Sequence, residues 1–497
     1  MSIYLHLVAD ALERWRDRIA FHADGRELTY GQTAELIGRT MSGLRDRGVR
    51  PGDCVGVLAP NSPEAWITCT AAQFLGACSL GLHARASAAD HAFECADAEV
   101  RLLAVHPRYA DAASEVEQTV VDIGEVVGDE ALPLDPDIAD DEDLVELLYT
   151  GGTTGRPKGV EQPHRSRAAI ALHSQLAYEL PVRPRYLASA PMTHASGHFV
   201  VPTLMRGGTV VLMDGFNPEE FVQIVNEQRV SLAFLVPSMI YKLLDAFPGE
   251  IEMPTLERVV YGASPIAPTR LVEAHTRMGR IFTQIYGQTE TLALGTSLLS
   301  DEHDLNDPAR LASCGRQVPG TIVALLDEDN QPVAPGEVGE MCIRSPGVMR
   351  GYRNQPELTA ETLAGGWLHT GDMARRDENG YLTIVDRRKD FIITGGFNVY
   401  SREIEDVLAS DPTVAAVAVF GVPDPVWGEA VKAVVVPAEG AEVDVAALIK
   451  AVRDVKGAVH APKSIDVVDE VPVTAVGKID KRALRSPYWE GRERAVS

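Results

Sequence analysis

The stretch YTGGTTGRPKG, residues 149–159, follows the apolar run LVELL and combines glycines, threonines and a single lysine. Glycine lets backbone N–H groups approach phosphate oxygens without a Cβ in the way. Gly151, Gly152 and Gly155 would supply that bare backbone, Thr150, Thr153 and Thr154 would add hydroxyl donors, and Lys158 adds a positive charge. The segment therefore reads as a cradle for a polyphosphate. It is not the P-loop pattern, in which Gly-Lys is followed by Ser or Thr. Here Pro157 precedes Lys158 and Gly159 follows it. Nor is it the G-x-G-x-x-G turn of dinucleotide folds. A surface turn could use the same residues, but a strand leading into so dense a run favours the cradle.

Four later segments carry groups suited to a nucleotide: YGQTE (286–290), GWLHTGD (366–372), DRRKDFIITGGFNV (386–399) and TAVGKIDKRAL (474–484). Taken with the 149–159 loop, their order and spacing resemble the adenylate-forming superfamily of acyl-CoA synthetases, aryl-CoA ligases and peptide-synthetase adenylation domains. The resemblance covers essentially the whole chain, and five ordered motifs are far more specific than any one of them. It implies that a carboxylic acid is joined to the α-phosphate of ATP with loss of pyrophosphate, and that a thiol then displaces AMP. Most of such catalysis is the placing and neutralising of charge.

The resemblance also implies a role for each matched residue. The 149–159 loop would hold the β- and γ-phosphates, Glu290 would bind Mg²⁺, Thr289 would contact the α-phosphate, and Tyr286 would stack on adenine beside Gly287 and Gln288. Asp372 would accept hydrogen bonds from the ribose, with Arg387 as a second ribose or phosphate contact. Alone, an Asp after Gly is a turn residue; the surrounding motifs raise it above that. Lys478 matches the catalytic lysine that bridges carboxylate and α-phosphate oxygens, and Thr154, Glu290 and His194 complete the catalytic set. Lys389 matches a hinge about which a small domain rotates between the two half-reactions. Gly395 and Gly396 match the lining of a pantetheine tunnel, which Trp427 would approach; a packing tryptophan is the equal alternative. The chain departs from the usual pattern at Gly151, where serine is common, at Ser401, where proline is frequent, and at Val473, Ala475 and Val476 beside the lysine. Serine at 401 is a good helix N-cap.

The acyl pocket is expected to be lined by 191–199, 261–265 and residues after Glu290, with Gly262, Ala263 and Ser264 also counted among the cofactor contacts. Ala195, Ser196 and Gly197 are small and leave room for an aryl ring or an alkyl chain; His198 reads as structural. No aspartate stands in this region to hold an α-ammonium group, which disfavours amino acids. The leading expectation is an acyl- or aryl-CoA synthetase using ATP, Mg²⁺ and coenzyme A. A stand-alone ligase loading a carrier protein or another acceptor is the alternative, and a catalytically silent nucleotide-binding relative is the third.

The elements that must position these residues are legible as alternating patterns. MSIYLHLVADALERW and LTYGQTAELIGRTMSGLRDRGV are amphipathic, DCVGVLA is a short apolar strand, and SPEAWITCTAAQFLGACSL reads as helical. Further strand candidates are YLASAPM, GTVVLM, LAFLVP, LERVVYG and RIFTQIYG. The C-terminal hundred residues give helix 401–410, strands near AAVAVFGV and AVKAVVVP, helix 444–456 and strand SIDVVDE. The fold class is thus α/β: a large N-terminal domain of layered β-sheets with helices, residues 1–386, and a small mobile α+β C-terminal domain, residues 387–497, with a hinge about 386–390.

Composition bounds the rest. A chain of 497 residues exceeds one ordinary core, and a net charge of −25 repels a nucleic-acid backbone. None of the six cysteines forms a CxxC pair, so zinc and redox-couple readings are set aside. No apolar run is long enough to span a bilayer, and the N-terminus lacks the pattern of a signal peptide. A cytoplasmic enzyme acting on a small carboxylic acid is expected.

Overall fold

A computed structural model of the chain describes residues 1–150, 157–388, 390–394, 397–425, 427–438, 440–473 and 479–490, without the side chain of Asn398. Among the described residues the strands form four sheets.

The first sheet has seven strands in the order Gly351–Tyr352, Lys158–Pro163, Leu144–Thr150, Cys78–Gly81, Cys54–Leu58, Val100–Val105, Thr119–Asp122. From Leu144–Thr150 onward the pairs are parallel, whereas Lys158–Pro163 turns back antiparallel and brings Lys158 opposite Thr150. The second sheet has nine strands. Its parallel centre runs Thr209–Leu212, Arg185–Ala188, Leu232–Leu235, Arg258–Gly262, Phe282–Tyr286. Strands covered on both faces should be apolar throughout, and TVVL and LAFL are buried at every position.

Helices fill the space between and around these sheets. In Ile3–Arg14 the buried residues Tyr4, Leu5, Val8, Ala11 and Leu12 make one stripe, and Ser2 caps the start by accepting from the Leu5 N–H. Tyr30–Asp46 opens on a reciprocal capping box between Thr29 and Gln32. Phe199 lies at the centre of the main core, 5.5 Å from both the Tyr186 and Phe234 rings and 6.0 Å from Tyr178. Burying a side chain of this kind contributes about 1.5–3 kcal/mol.

One element differs from the reading of the sequence. The helix begun at Pro63 ends at Phe74, Gly76 takes a left-handed turn with φ +72°, and Cys78–Gly81 becomes a parallel strand. The third sheet, four antiparallel strands Ile322–Leu326, Val338–Arg344, Leu368–Arg376 and Leu382–Arg387, is not singled out by the sequence pattern. The fourth joins Phe397–Val399, Ile392–Thr394, Gly428–Pro437 and Val414–Asp424, with Ser464–Val467 parallel to Gly428–Pro437. Helices Ser401–Leu408 and Val445–Lys456 pack against it. Among the described residues, no helix is long and apolar enough to cross a membrane.

Candidate active site

Parallel α/β sheets bind ligands beyond the carboxyl ends of their strands, because the connecting loops gather there. Four of the segments singled out above leave such ends: residue 151 onward after Thr150, 191–199 after Ala188, Ala263 and Ser264 after Gly262, and Gly287 to Glu290 after Tyr286.

The Lys158–Pro163 strand orders the side chains that follow the 149–157 segment. Alternate residues share a face, so Lys158, Val160 and Gln162 point one way. Lys158 places its ammonium 5.3 Å from the Tyr352 ring centroid. Gln162 is fully buried; its Nε2 donates to the Thr289 carbonyl at 2.6 Å, and its Oε1 accepts from Ser166 at 2.8 Å. On the opposite face Gly159 has no room for a Cβ, which would lie 2.9 Å from the Tyr149 ring. This glycine serves close packing against Tyr149 and Arg353. Glu290 is held twice from one segment: its carbonyl accepts from the Met349 N–H at 2.8 Å, and its Oε1 accepts from the Tyr352 hydroxyl at 2.7 Å. Burial, then Glu290, raises the Tyr352 pKa, so the phenol stays protonated and donating.

Residues of three of the motifs meet at Asp372. Its Oδ2 accepts from the Tyr286 hydroxyl at 2.7 Å and from Gln288 Nε2 at 2.9 Å, and Arg387 Nε lies 3.2 Å from Oδ1. Asp372 is buried, and burial, with Asp372 next, pushes the Tyr286 phenol well above its ordinary range. The strand carrying Asp372 is fixed from the side by Glu340, whose Oε1 accepts from the Gly371 N–H at 2.9 Å while Oε2 lies 3.0 Å from His369 Nδ1. Arg388 Nη1 also reaches that oxygen, at 3.4 Å. Gly287 fits its turn only without a side chain, since a Cβ would lie 2.4 Å from the Ala293 Cα.

His194 is half-buried; its Nδ1 lies 3.0 Å from the Thr193 hydroxyl, and its ring meets His83 edge-on at 5.2 Å. Two small residues expected to give the pocket room are used elsewhere. Ser196 is buried and paired with the Tyr186 hydroxyl, and Gly197 packs where a Cβ would lie 2.0 Å from the Met192 carbonyl. Thr193, His194 and Ala195 are half-exposed. Ala263 adopts φ +67° and is exposed, beside the half-buried Ser264. His198 is buried, its ring nitrogens have no hydrogen-bond partner among the described residues, and burial holds its pKa well below the usual histidine value.

In the C-terminal part, Trp427 is 47% exposed, with Lys463 Nζ 5.6 Å from its ring centroid. Ser401 does not act as a cap: Tyr400 occupies that position, and Ser401 is the first helical residue, its hydroxyl donating to Asp386 at 3.2 Å and accepting from Lys481 at 2.9 Å. Lys481 also pairs with Glu405 at 2.7 Å. Gly151, Gly152, Thr153, Thr154, Gly155, Lys389, Gly395, Gly396 and Lys478 lie outside the described residues.

Sequence reasoning missed Gln162, Tyr352 and Glu340. Gln162 carries the only usable signal, because it falls on the Lys158 face at strand spacing. Tyr352 and Glu340 reach the site from distant strands.

Two mixed sheets with parallel centres, one sending the turn after Tyr286 to an Asp–Arg pair on a third sheet, and a small α+β unit after them fit an adenylate-forming architecture. The AMP-binding enzyme model matches residues 8–353, and the model of the AMP-binding enzyme C-terminal domain matches 403–478; the chain belongs to this family. It is 41% identical to the medium/long-chain-fatty-acid–CoA ligase FadD8 of Mycobacterium tuberculosis, over 99% of this chain and 91% of that protein. It is 37% identical to a feruloyl-CoA synthase of an Amycolatopsis species, over 95% and 97% of the two chains. Among solved structures, ATP-bound MatB from Rhodopseudomonas palustris superposes with a TM-score of 0.89 at 28% identity, covering 97% of this chain and 99% of that one.

Proposed function

We propose that the chain is an ATP-dependent acyl- or aryl-CoA synthetase, an AMP-forming acid–thiol ligase. A carboxylate oxygen attacks the α-phosphorus of ATP, the bond to the β-phosphate breaks, and pyrophosphate leaves an acyl-adenylate. The sulfur of the CoA thiol then attacks the acyl carbon, the thiol proton is lost, and AMP departs. The convergence of Tyr286, Gln288 and Arg387 on Asp372 carries this reading, because three separate motifs build one nucleotide contact. A carboxylate oxygen accepts about two hydrogen bonds, so Oδ1 keeps capacity for a ribose hydroxyl.

In this reading Lys158, Thr150 and the 151–155 backbone hold the β- and γ-phosphates, Thr289 meets the α-phosphate, and His194 borders the acid. Glu290 fits Mg²⁺, since its donors are oxygens alone and hard cations prefer them. The ion would neutralise phosphate charge as it develops. Lys478 bridges the reacting oxygens, and the unit after the hinge at 386–390 turns to present Gly395, Gly396 and Trp427 to the pantetheine arm. The two relatives act on a fatty acid and on an aromatic acid, which supports a carboxylic acid of either kind as substrate.

Substitution separates the half-reactions. Lys478→Ala is expected to lower adenylate formation by about 10²–10³-fold and to leave thiol attack on supplied acyl-adenylate intact. Equal loss in both steps contradicts the division of labour. Lys389→Pro is expected to spare adenylation and impair thioester formation; normal overall turnover in that variant contradicts domain rotation.

A further inference from the structure

We propose that Tyr352 is a positioning residue for adenylation, holding the Glu290 carboxylate in the orientation that receives the divalent cation while its ring face seats Lys158. The proposal rests on the nucleotide reading of Glu290 and Lys158 given above.

Tyr352 lies on the edge strand Gly351–Tyr352, opposite Val160, and so shares a sheet face with Lys158 two residues away. Its backbone is clamped on several sides. The Tyr352 N–H donates to Thr359 Oγ1 at 2.9 Å, the Arg353 N–H to the Gly159 carbonyl at 2.7 Å, and the Arg350 N–H to the Glu161 carbonyl at 2.9 Å. Gly351 abuts Thr359 so closely that a Cβ would lie 2.6 Å from its methyl group. The helix Pro356–Thr362 thus fixes where the phenol points.

A glutamate carboxylate otherwise swings broadly about its last torsion. The 2.7 Å hydrogen bond from Tyr352 restrains Oε1, while Met349 holds the carbonyl of the same residue. Backbone and side chain of Glu290 are therefore referenced to one segment, 349–352. The same ring lies 5.3 Å from Lys158 Nζ, a distance at which an ammonium is attracted to the π face. One side chain in this way sets the spacing between the cation's carboxylate and the phosphate-binding ammonium.

Two substitutions divide these contacts. Tyr352→Phe keeps the ring and loses the hydroxyl; Tyr352→Leu loses both. The test uses the full chain with Mn²⁺ as the probe, its binding followed by electron paramagnetic resonance in the presence of α,β-methylene-ATP, and nucleotide affinity measured separately in EDTA. Tyr352→Phe is expected to weaken Mn²⁺ binding about tenfold, the scale of a hydrogen bond to a charged group, with metal-free nucleotide affinity changed by less than about twofold. Tyr352→Leu is expected to weaken both. Glu290→Gln serves as the reference. Mn²⁺ affinity lost in Glu290→Gln but unchanged in a folded Tyr352→Phe overturns the role of Tyr352 and leaves the Glu290 reading standing. Unchanged Mn²⁺ affinity in both variants overturns that reading and the proposal with it.

Discussion

The Tyr286 hydroxyl donates to Asp372 Oδ2 at 2.7 Å across 86 residues of sequence, from the end of a parallel strand in one sheet to an antiparallel strand in another. The bond ties the YGQTE turn to the HTGD strand and gives the proposed nucleotide site a fixed edge. Asp372→Asn places an amide where two donors and a guanidinium expect a carboxylate. Its affinity for AMP, measured by calorimetry, is expected to fall about tenfold or more, since hydrogen bonds to charged groups contribute about 1.5–3 kcal/mol. Wild-type affinity contradicts a ribose role.

Gly287→Ala tests how tightly the same turn is built. The new Cβ meets backbone, 2.4 Å from the Ala293 Cα, so no side-chain rotation relieves it. Displacing Thr289 and Glu290 by about an ångström is expected to lower adenylation about 10²-fold. An active variant, read by pyrophosphate exchange, contradicts the packing.

The contrast between these two contacts shows what the sequence could convey. The YGQTE and HTGD segments are recognisable from their residue types, and apolar runs such as LAFL and TVVL mark buried parallel strands because both faces need cover. That Tyr286 bonds Asp372 follows only from how two sheets pack. The run through Cys78–Gly81 misleads because its apolar pattern suits a buried helix or a buried strand equally, and Gly76 decides the break. Tyr352 and Glu340 stay hidden because their partners are set by tertiary neighbours, with no local spacing to mark them.

Gln162→Leu removes the amide that donates to the Thr289 carbonyl, while the Ser166 hydroxyl keeps the Pro163 carbonyl as acceptor at 2.8 Å. The Thr289 carbonyl keeps the Leu292 N–H at 3.2 Å, so the loss is one hydrogen bond, about 0.5–1.5 kcal/mol. A fall in melting temperature together with a raised KM for ATP is expected. A variant with wild-type stability and kinetics contradicts the proposed bracing of Thr289.

Asp386, bonded to Ser401, gives a pH signature. Burial, opposed by Lys481, raises its carboxyl from its ordinary value of 3.8 to about 6. Between those values the folded state binds more protons than the unfolded one, so this group's contribution falls as pH rises through the window and stays low above it. Wild type is expected to lose at most about 3 kcal/mol relative to Asp386→Asn from about pH 4 to about pH 6. Urea unfolding of both proteins across that range checks it; a difference that does not change with pH contradicts the assignment.

The central claim is tested most directly by pyrophosphate release from ATP and Mg²⁺ with pooled aliphatic and aromatic carboxylic acids, with and without CoA, products being read by mass. The expected result is release that depends on an acid, rises with CoA and yields an acyl-CoA with AMP. An acyl-adenylate that accumulates and ignores CoA contradicts the CoA acceptor and points to a carrier protein or another nucleophile. No acid-dependent pyrophosphate from any pool contradicts adenylation itself.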